Sequence, residues 1–198
     1  MNLKEAIKEN PDVVRGVGYV ALALILVGGW HAYKANKAAK LESASDAFVS
    51  AFTTEEIEDA VAKTEGMAAQ GAIKIRLAKS YFDAGRYEEA MALYDELTEK
   101  PVEGFAELPV VGKAQCLEAL GRFDEAEKAF DAFAEANPKH YLTLTAQLGA
   151  ARAIAQAGDK EKALARINAL KAANKDDDLA LKRVEATEEV IKRFEIKK

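Results

Sequence analysis

Few residues in this sequence have the types and spacing that enzyme chemistry requires. The two histidines, His31 and His140, lie far apart, and the single cysteine, Cys116, has no histidine near it in the sequence. A zinc site needs three or four closely placed ligands, and a thiol nucleophile needs a neighbouring base. No glycine-rich phosphate loop occurs either. The sequence therefore predicts a protein that is not an enzyme and has no cofactor, metal site or small-molecule substrate.

Three successive aspartates, Asp176 to Asp178, are the one acidic run that suggests a cation site. A calcium loop needs further oxygen ligands at set spacings, and none follows here. The aspartates instead precede an amphipathic segment that begins at Leu179. Carboxylates at the start of a helix accept hydrogen bonds from its free amides and offset its dipole. We interpret the run as a helix cap.

The apolar residues indicate which elements would position a binding surface. Between Val110 and Pro138 they recur at three- and four-residue steps on both sides of Gly121, as in amphipathic helices. Gly121 follows the last apolar position of the first segment, where a left-handed residue closes a helix well. Asp124 is placed to cap the second segment. The pattern predicts a helical hairpin.

The same pattern recurs upstream around Gly85 and, more weakly, downstream around Gly158. A period near 34 residues, with a small residue, a glycine, an aromatic residue and an alanine in fixed order, resembles the tetratricopeptide repeat. The resemblance covers residues 72–175. It implies an all-α fold, an α-solenoid of about three helical hairpins, with residues 176–198 forming a capping helix over the last one.

The amino-terminal region has a different character. After a short lead, residues 1–15, the run 16–33 carries no Lys, Arg, Asp or Glu. Eighteen helical residues span about 27 Å, close to the roughly 30 Å of a bilayer's hydrocarbon core. Trp30 and Tyr33 stand where aromatic rings meet the headgroups. The run predicts a single transmembrane signal anchor; the alternative, a cleaved signal peptide, conflicts with the bulky residues that follow the run.

The charge distribution restricts the classes of partner but does not decide on which side of the membrane the repeats lie. Three Lys or Arg residues precede the predicted span and three follow it closely, so the positive-inside rule favours neither side. The chain has a formal net charge of −5, and its acidic excess lies after residue 40. Such a charge disfavours binding to nucleic acid or to an anionic membrane surface.

Several features together narrow the resemblance. They are the polar lead, the span ending in Gly28-Gly29-Trp30-His31-Ala32-Tyr33, the Ala/Ser-rich helix that begins Leu41-Glu42-Ser43-Ala44-Ser45, and the divergent repeats. Residues 34–71 are interpreted as this linking helix and a degenerate helical pair. The whole resembles the YfgM-like family of ancillary SecYEG translocon subunits.

That resemblance implies a membrane-anchored protein–protein interaction scaffold in the bacterial inner membrane. Its repeats would face the periplasm, and its partners would be the Sec translocon and a membrane-anchored periplasmic chaperone. From the residues alone, a structural or oligomerising spacer subunit of another cell-envelope complex stays an alternative.

In tetratricopeptide proteins the first helix of each hairpin lines the concave surface. The matching positions are Ile75, Lys79, Phe82, Leu108, Val111, Gln115, Leu148 and Arg152. Most leading positions are apolar, so the resemblance implies a groove for a hydrophobic helix or an unfolded segment. The alternative is that the chain's own helices cover Phe82 or Leu148.

Overall fold

The structure, a computed structural model, describes residues 11–67 and 69–194. Within these residues every regular element is a helix. The helices are α1 (Pro11–Ser50), α2 (Thr54–Lys63), α3 (Gln70–Asp83), α4 (Tyr87–Glu99), α5 (Glu107–Ala119), α6 (Phe123–Ala136), α7 (Thr143–Gln156), α8 (Lys160–Ala173) and α9 (Asp178–Arg193). The chain divides after Ser50 into two compact units.

The first unit contains α1, and the predicted span 16–33 lies within this helix. The side chains described between Leu22 and Val27 are exposed, as are those of Trp30 and Tyr33. The side chains of residues 16–21 and 23 lie outside the described residues. Among the residues that the structure describes, no helix combines the length and the apolar character needed to cross a membrane. The membrane anchor therefore stays a prediction.

The segment 34–71 contributes to both units. Its linking helix is the continuous end of α1, and its second helix is α2. Thr53 caps α2: its hydroxyl accepts the Glu56 N–H at 3.2 Å, and the Glu56 carboxylate accepts the Thr53 N–H at 3.0 Å. This reciprocal capping box satisfies two amides that would otherwise lack partners.

The three predicted hairpins are α3–α4, α5–α6 and α7–α8, and each turns through the expected glycine. Gly85, Gly121 and Gly158 all have positive φ angles. At the middle turn the Arg122 N–H bonds to the Leu117 carbonyl at 2.9 Å, and the Gly121 N–H bonds to the Glu118 carbonyl at 3.1 Å. This pair of bonds is a Schellman motif, which satisfies carbonyls left free at the end of a helix.

The prediction that Asp124 caps α6 was wrong. Arg122 occupies the N-cap position, where its side chain caps no backbone amide, and Asp124 lies in the first turn. Arg122 both closes α5 and stands at the N-cap of α6, and an arginine side chain has no acceptor for a helix amide. Asp124 still lies where a negative charge favours the helix dipole. By contrast, Asp177 does cap α9, accepting the N–H groups of Leu179 and Ala180 at 3.0 and 2.9 Å.

The helix pairs of the second unit stack as a solenoid. The first helices α3, α5 and α7 are neighbours in one layer, and α9 continues that layer. Each second helix packs against its own first helix and against the first helix that follows. The side chains between them form successive buried clusters, in which Ala90, Ala126 and Ala163 are fully buried. The helix α9 covers the last pair through Val184 and Ile191.

Two glycines inside helices let aromatic rings of the preceding repeat approach the backbone. A Cβ atom on Gly149 would lie 2.6 Å from Cζ of Phe130, and one on Gly112 would lie 2.5 Å from Cζ of Tyr94. Both rings come from the second helix of one pair and press on the first helix of the next. A contact between an aromatic ring and a glycine therefore occurs at both of these junctions between consecutive repeats.

Cys116 supplies a direct test of this packing. It is free and fully buried on α5, and burial, with a smaller effect of the Asp95 carboxylate, raises the pKa of its thiol to about 11. We therefore expect almost no reaction of the folded protein with a thiol reagent at about pH 8, and rapid reaction of one thiol per chain after denaturation. Complete labelling of the folded protein within minutes would contradict the burial of this side chain.

Candidate protein-binding surface

The helices α3, α5 and α7 carry all eight residues predicted to line the groove, but these residues differ in exposure. Val111 and Leu148 are buried, each with 4% exposed surface. Lys79 is exposed. The remaining five are half-buried: Ile75, Phe82, Leu108, Gln115 and Arg152.

The two buried positions have packing roles. Val111 belongs to the core cluster around Phe130, between the second and third helix pairs. Leu148 belongs to the last cluster, which includes Val184 and Ile191 of α9. For Leu148, the sequence left open the alternative that the chain's own capping helix covers this side chain. Their assignment to a partner-binding surface stays a prediction.

Phe82 and Lys79 form a small surface group on α3. The Phe82 ring meets the Tyr87 ring edge-on, with 5.2 Å between the centroids, and the Lys79 Nζ atom lies 5.9 Å from the Phe82 ring centroid. Lys79 also pairs with Asp83 one turn away. This exposed ion pair contributes little to stability. It neutralises the charge of Lys79 beside the partly exposed Phe82 ring.

Glu118 and Arg152 connect the first helices of neighbouring repeats. The Glu118 carboxylate accepts bonds from Arg152 Nε and Nη2 at 2.9 and 2.8 Å, and from Gln156 Nε2 at 2.8 Å. A two-point bond of this kind fixes the plane of the guanidinium. The arginine is thus held in a defined orientation at the surface of α7.

Sequence reasoning placed Arg152 in the groove but missed its bond to Glu118. Their separation is 34 residues, three fewer than the 37 residues from Gly121 to Gly158. Arg152 therefore lies about one helical turn before the position of the next repeat that corresponds to Glu118. A search for opposite charges within one turn of equivalent repeat positions could have found the pair.

Sequence reasoning also missed Arg183 of α9, which lies beside the predicted surface. Its Nη2 atom donates to the Thr145 hydroxyl of α7 at 2.7 Å. The capping helix was expected only to cover the last repeat, so its side chains were not considered for binding.

The side chains of this surface suit non-covalent binding. Among the described residues, no group of three or more His, Cys, Asp or Glu side chains could hold a metal ion. His140 has a local role, because its Nδ1 atom accepts the Leu142 N–H at 3.3 Å in the loop before α7. Apolar surface, fixed guanidinium groups and amides are the components from which protein-binding surfaces are built.

Comparison with protein-family models gives two matches, both described as tetratricopeptide repeat. One covers residues 111–178 and the other residues 75–101. No curated protein and no solved structure matched the chain. Repeats of this family generally mediate binding to other proteins and typically form non-catalytic scaffolds. The matched segments fall on the helix pairs from α3 to α8, so the chain contains tetratricopeptide repeats.

Proposed function

We propose that this chain is a membrane-anchored scaffold that binds other proteins through the layer formed by α3, α5, α7 and α9. The observation that supports this most directly is the mixed surface of that layer. It offers the partly exposed Phe82 ring, the half-buried Gln115 amide and the fixed Arg152 guanidinium on helices held together by buried packing. A rigid surface loses little conformational entropy when a partner binds.

The proposal extends to the place where the repeats act. We place them on the periplasmic side of the bacterial inner membrane, with the Sec translocon and a membrane-anchored periplasmic chaperone as partners. The support is the uncharged run 16–33 and the resemblance of the following residues, Leu41 to Ser45, to the YfgM-like family.

The proposed topology predicts the behaviour of fusion reporters. A reporter that works only outside the cytoplasm, joined after Lys198, should be active in bacterial cells. A reporter that works only in the cytoplasm should be inactive at the same position. Activity of the cytoplasmic reporter alone would contradict the periplasmic location and the translocon partnership together.

The proposed surface predicts where partners crosslink. A photoreactive amino acid at Lys79 or Gln115 of the full chain, in intact cells, should form adducts with translocon or chaperone subunits. The same group at Lys128, exposed on the second helix α6, is the control and should give several-fold fewer of these adducts. Equal yields at the three positions would contradict the surface, whereas adducts only between copies of the chain would favour the spacer alternative.

A further inference from the structure

A notch lies between α7 and α9, at the carboxy-terminal end of the layer of first helices. Thr145, Leu148 and Arg152 of α7 line it on one side, and Arg183, Ala186 and Thr187 of α9 line it on the other. Its volume is about 260 Å³. A water molecule takes roughly 30 Å³ in the liquid, so the notch has room for a side chain.

Among the described residues, the notch carries one positive charge that no carboxylate neutralises. Arg152 is neutralised by Glu118 through the two bonds described above. Arg183 bonds to the Thr145 hydroxyl and, among the described residues, has no carboxylate partner. A guanidinium has five N–H donors in a fixed fork, and the bond to Thr145 uses one of them. The notch therefore offers an oriented positive group whose remaining donors suit a carboxylate.

The surface on either side of Arg183 is apolar. Leu179, Arg183, Ala186 and Val190 follow one another at helical spacing along one face of α9. Leu179 is 72% exposed and Val190 is 44% exposed. They lie about 6 Å and 10 Å along the helix axis from Arg183. An extended peptide advances about 3.3 Å per residue, so it would reach these side chains two to three residues from the one at Arg183.

We propose that this notch binds the side-chain carboxylate of an aspartate or glutamate in an extended segment of a partner protein. Apolar residues of that segment, two to three positions away on either side, lie against Leu179 and Val190. The inference rests on the proposed function and specifies the chemistry of its partner. An anionic membrane is disfavoured as the occupant, because one unbalanced arginine contributes only about 1 kcal/mol to binding such a surface.

The test selects peptides with the full chain in a mild detergent. A displayed library of random dodecapeptides is panned on the wild-type protein, on Arg183→Gln and on Lys182→Gln. Lys182 is the exposed neighbour of Arg183 outside the notch, so its variant makes the same charge change as a matched control. We expect wild type and Lys182→Gln to enrich one acidic position flanked by apolar residues, and Arg183→Gln to lose that preference while it melts at the same temperature.

The affinity of the protein for a synthetic peptide from the enriched set, with both ends blocked, is then measured. Its affinity should fall at least about tenfold when its acidic residue becomes the amide, and by a similar factor for Arg183→Gln. Selection of peptides without an acidic preference would overturn the notch and leave the protein-binding function standing. A preference that Arg183→Gln retains would also overturn it, and a selection without any enriched peptide would contradict both proposals.

Discussion

Replacing Phe130 with alanine is expected to lower the free energy of unfolding by about 3–5 kcal/mol. Among the described residues, Phe130 is the largest side chain that is fully buried. It lies in the cluster that joins the second and third helix pairs, and its ring fills the space above Gly149. Removing the ring would leave a cavity where α6 and α7 meet, because packed surroundings relax only partly into such a gap.

Urea denaturation of the full chain in mild detergent, followed by circular dichroism, measures this loss. Phe123→Ala is the matched control, since Phe123 begins the same helix and is only half-buried at the edge of the same cluster. Its loss should be clearly smaller. Equal losses for the two variants would show that the ring of Phe130 is not central to the core.

The helices and hairpins were predictable because their signals are local. The spacing of apolar residues indicates a helix wherever one face is buried, and a glycine after the last apolar position indicates the left-handed turn found at Gly85, Gly121 and Gly158. The wrong prediction that Asp124 caps α6 shows the limit of such local signals. The helix α6 begins at Phe123, so the residue at its N-cap is Arg122, and the apolar spacing did not locate that start to within two residues.

The composition of the candidate surface was less predictable because it depends on how repeats stack. The repeat pattern places Val111 and Leu148 on first helices, but it does not say how closely the neighbouring pair approaches. In the structure that approach buries both side chains. Arg183 was missed for the same reason, since its place beside Thr145 follows from the docking of α9 against α7.

A second large effect on stability is expected for Gly149→Ala, for which helix propensity and packing predict opposite signs. In an exposed helix, replacing glycine with alanine would stabilise the helix by about 1 kcal/mol. Here the new Cβ atom would lie 2.6 to 2.8 Å from three ring atoms of Phe130, which is fully buried, so the ring or the helix would have to shift. Forcing a methyl group into a packed core costs about 1–3 kcal/mol, occasionally more. We expect Gly149→Ala to destabilise the protein by about that amount.

The same substitution should lose its effect once the ring is removed, which tests the cause. In a Phe130→Leu background the atoms that Gly149→Ala would meet are absent, and only the gain in helix propensity stays. The combined loss of the double variant should therefore be smaller than the sum of the single losses by about 2–4 kcal/mol, which is the loss expected for Gly149→Ala plus the gain of about 1 kcal/mol in helix propensity. Additive losses in urea denaturation would show that the ring and the glycine act separately. A coupling of the expected sign would mean that the glycine in α7 accommodates a residue of the preceding repeat, and that this contact fixes how one repeat stacks on the next.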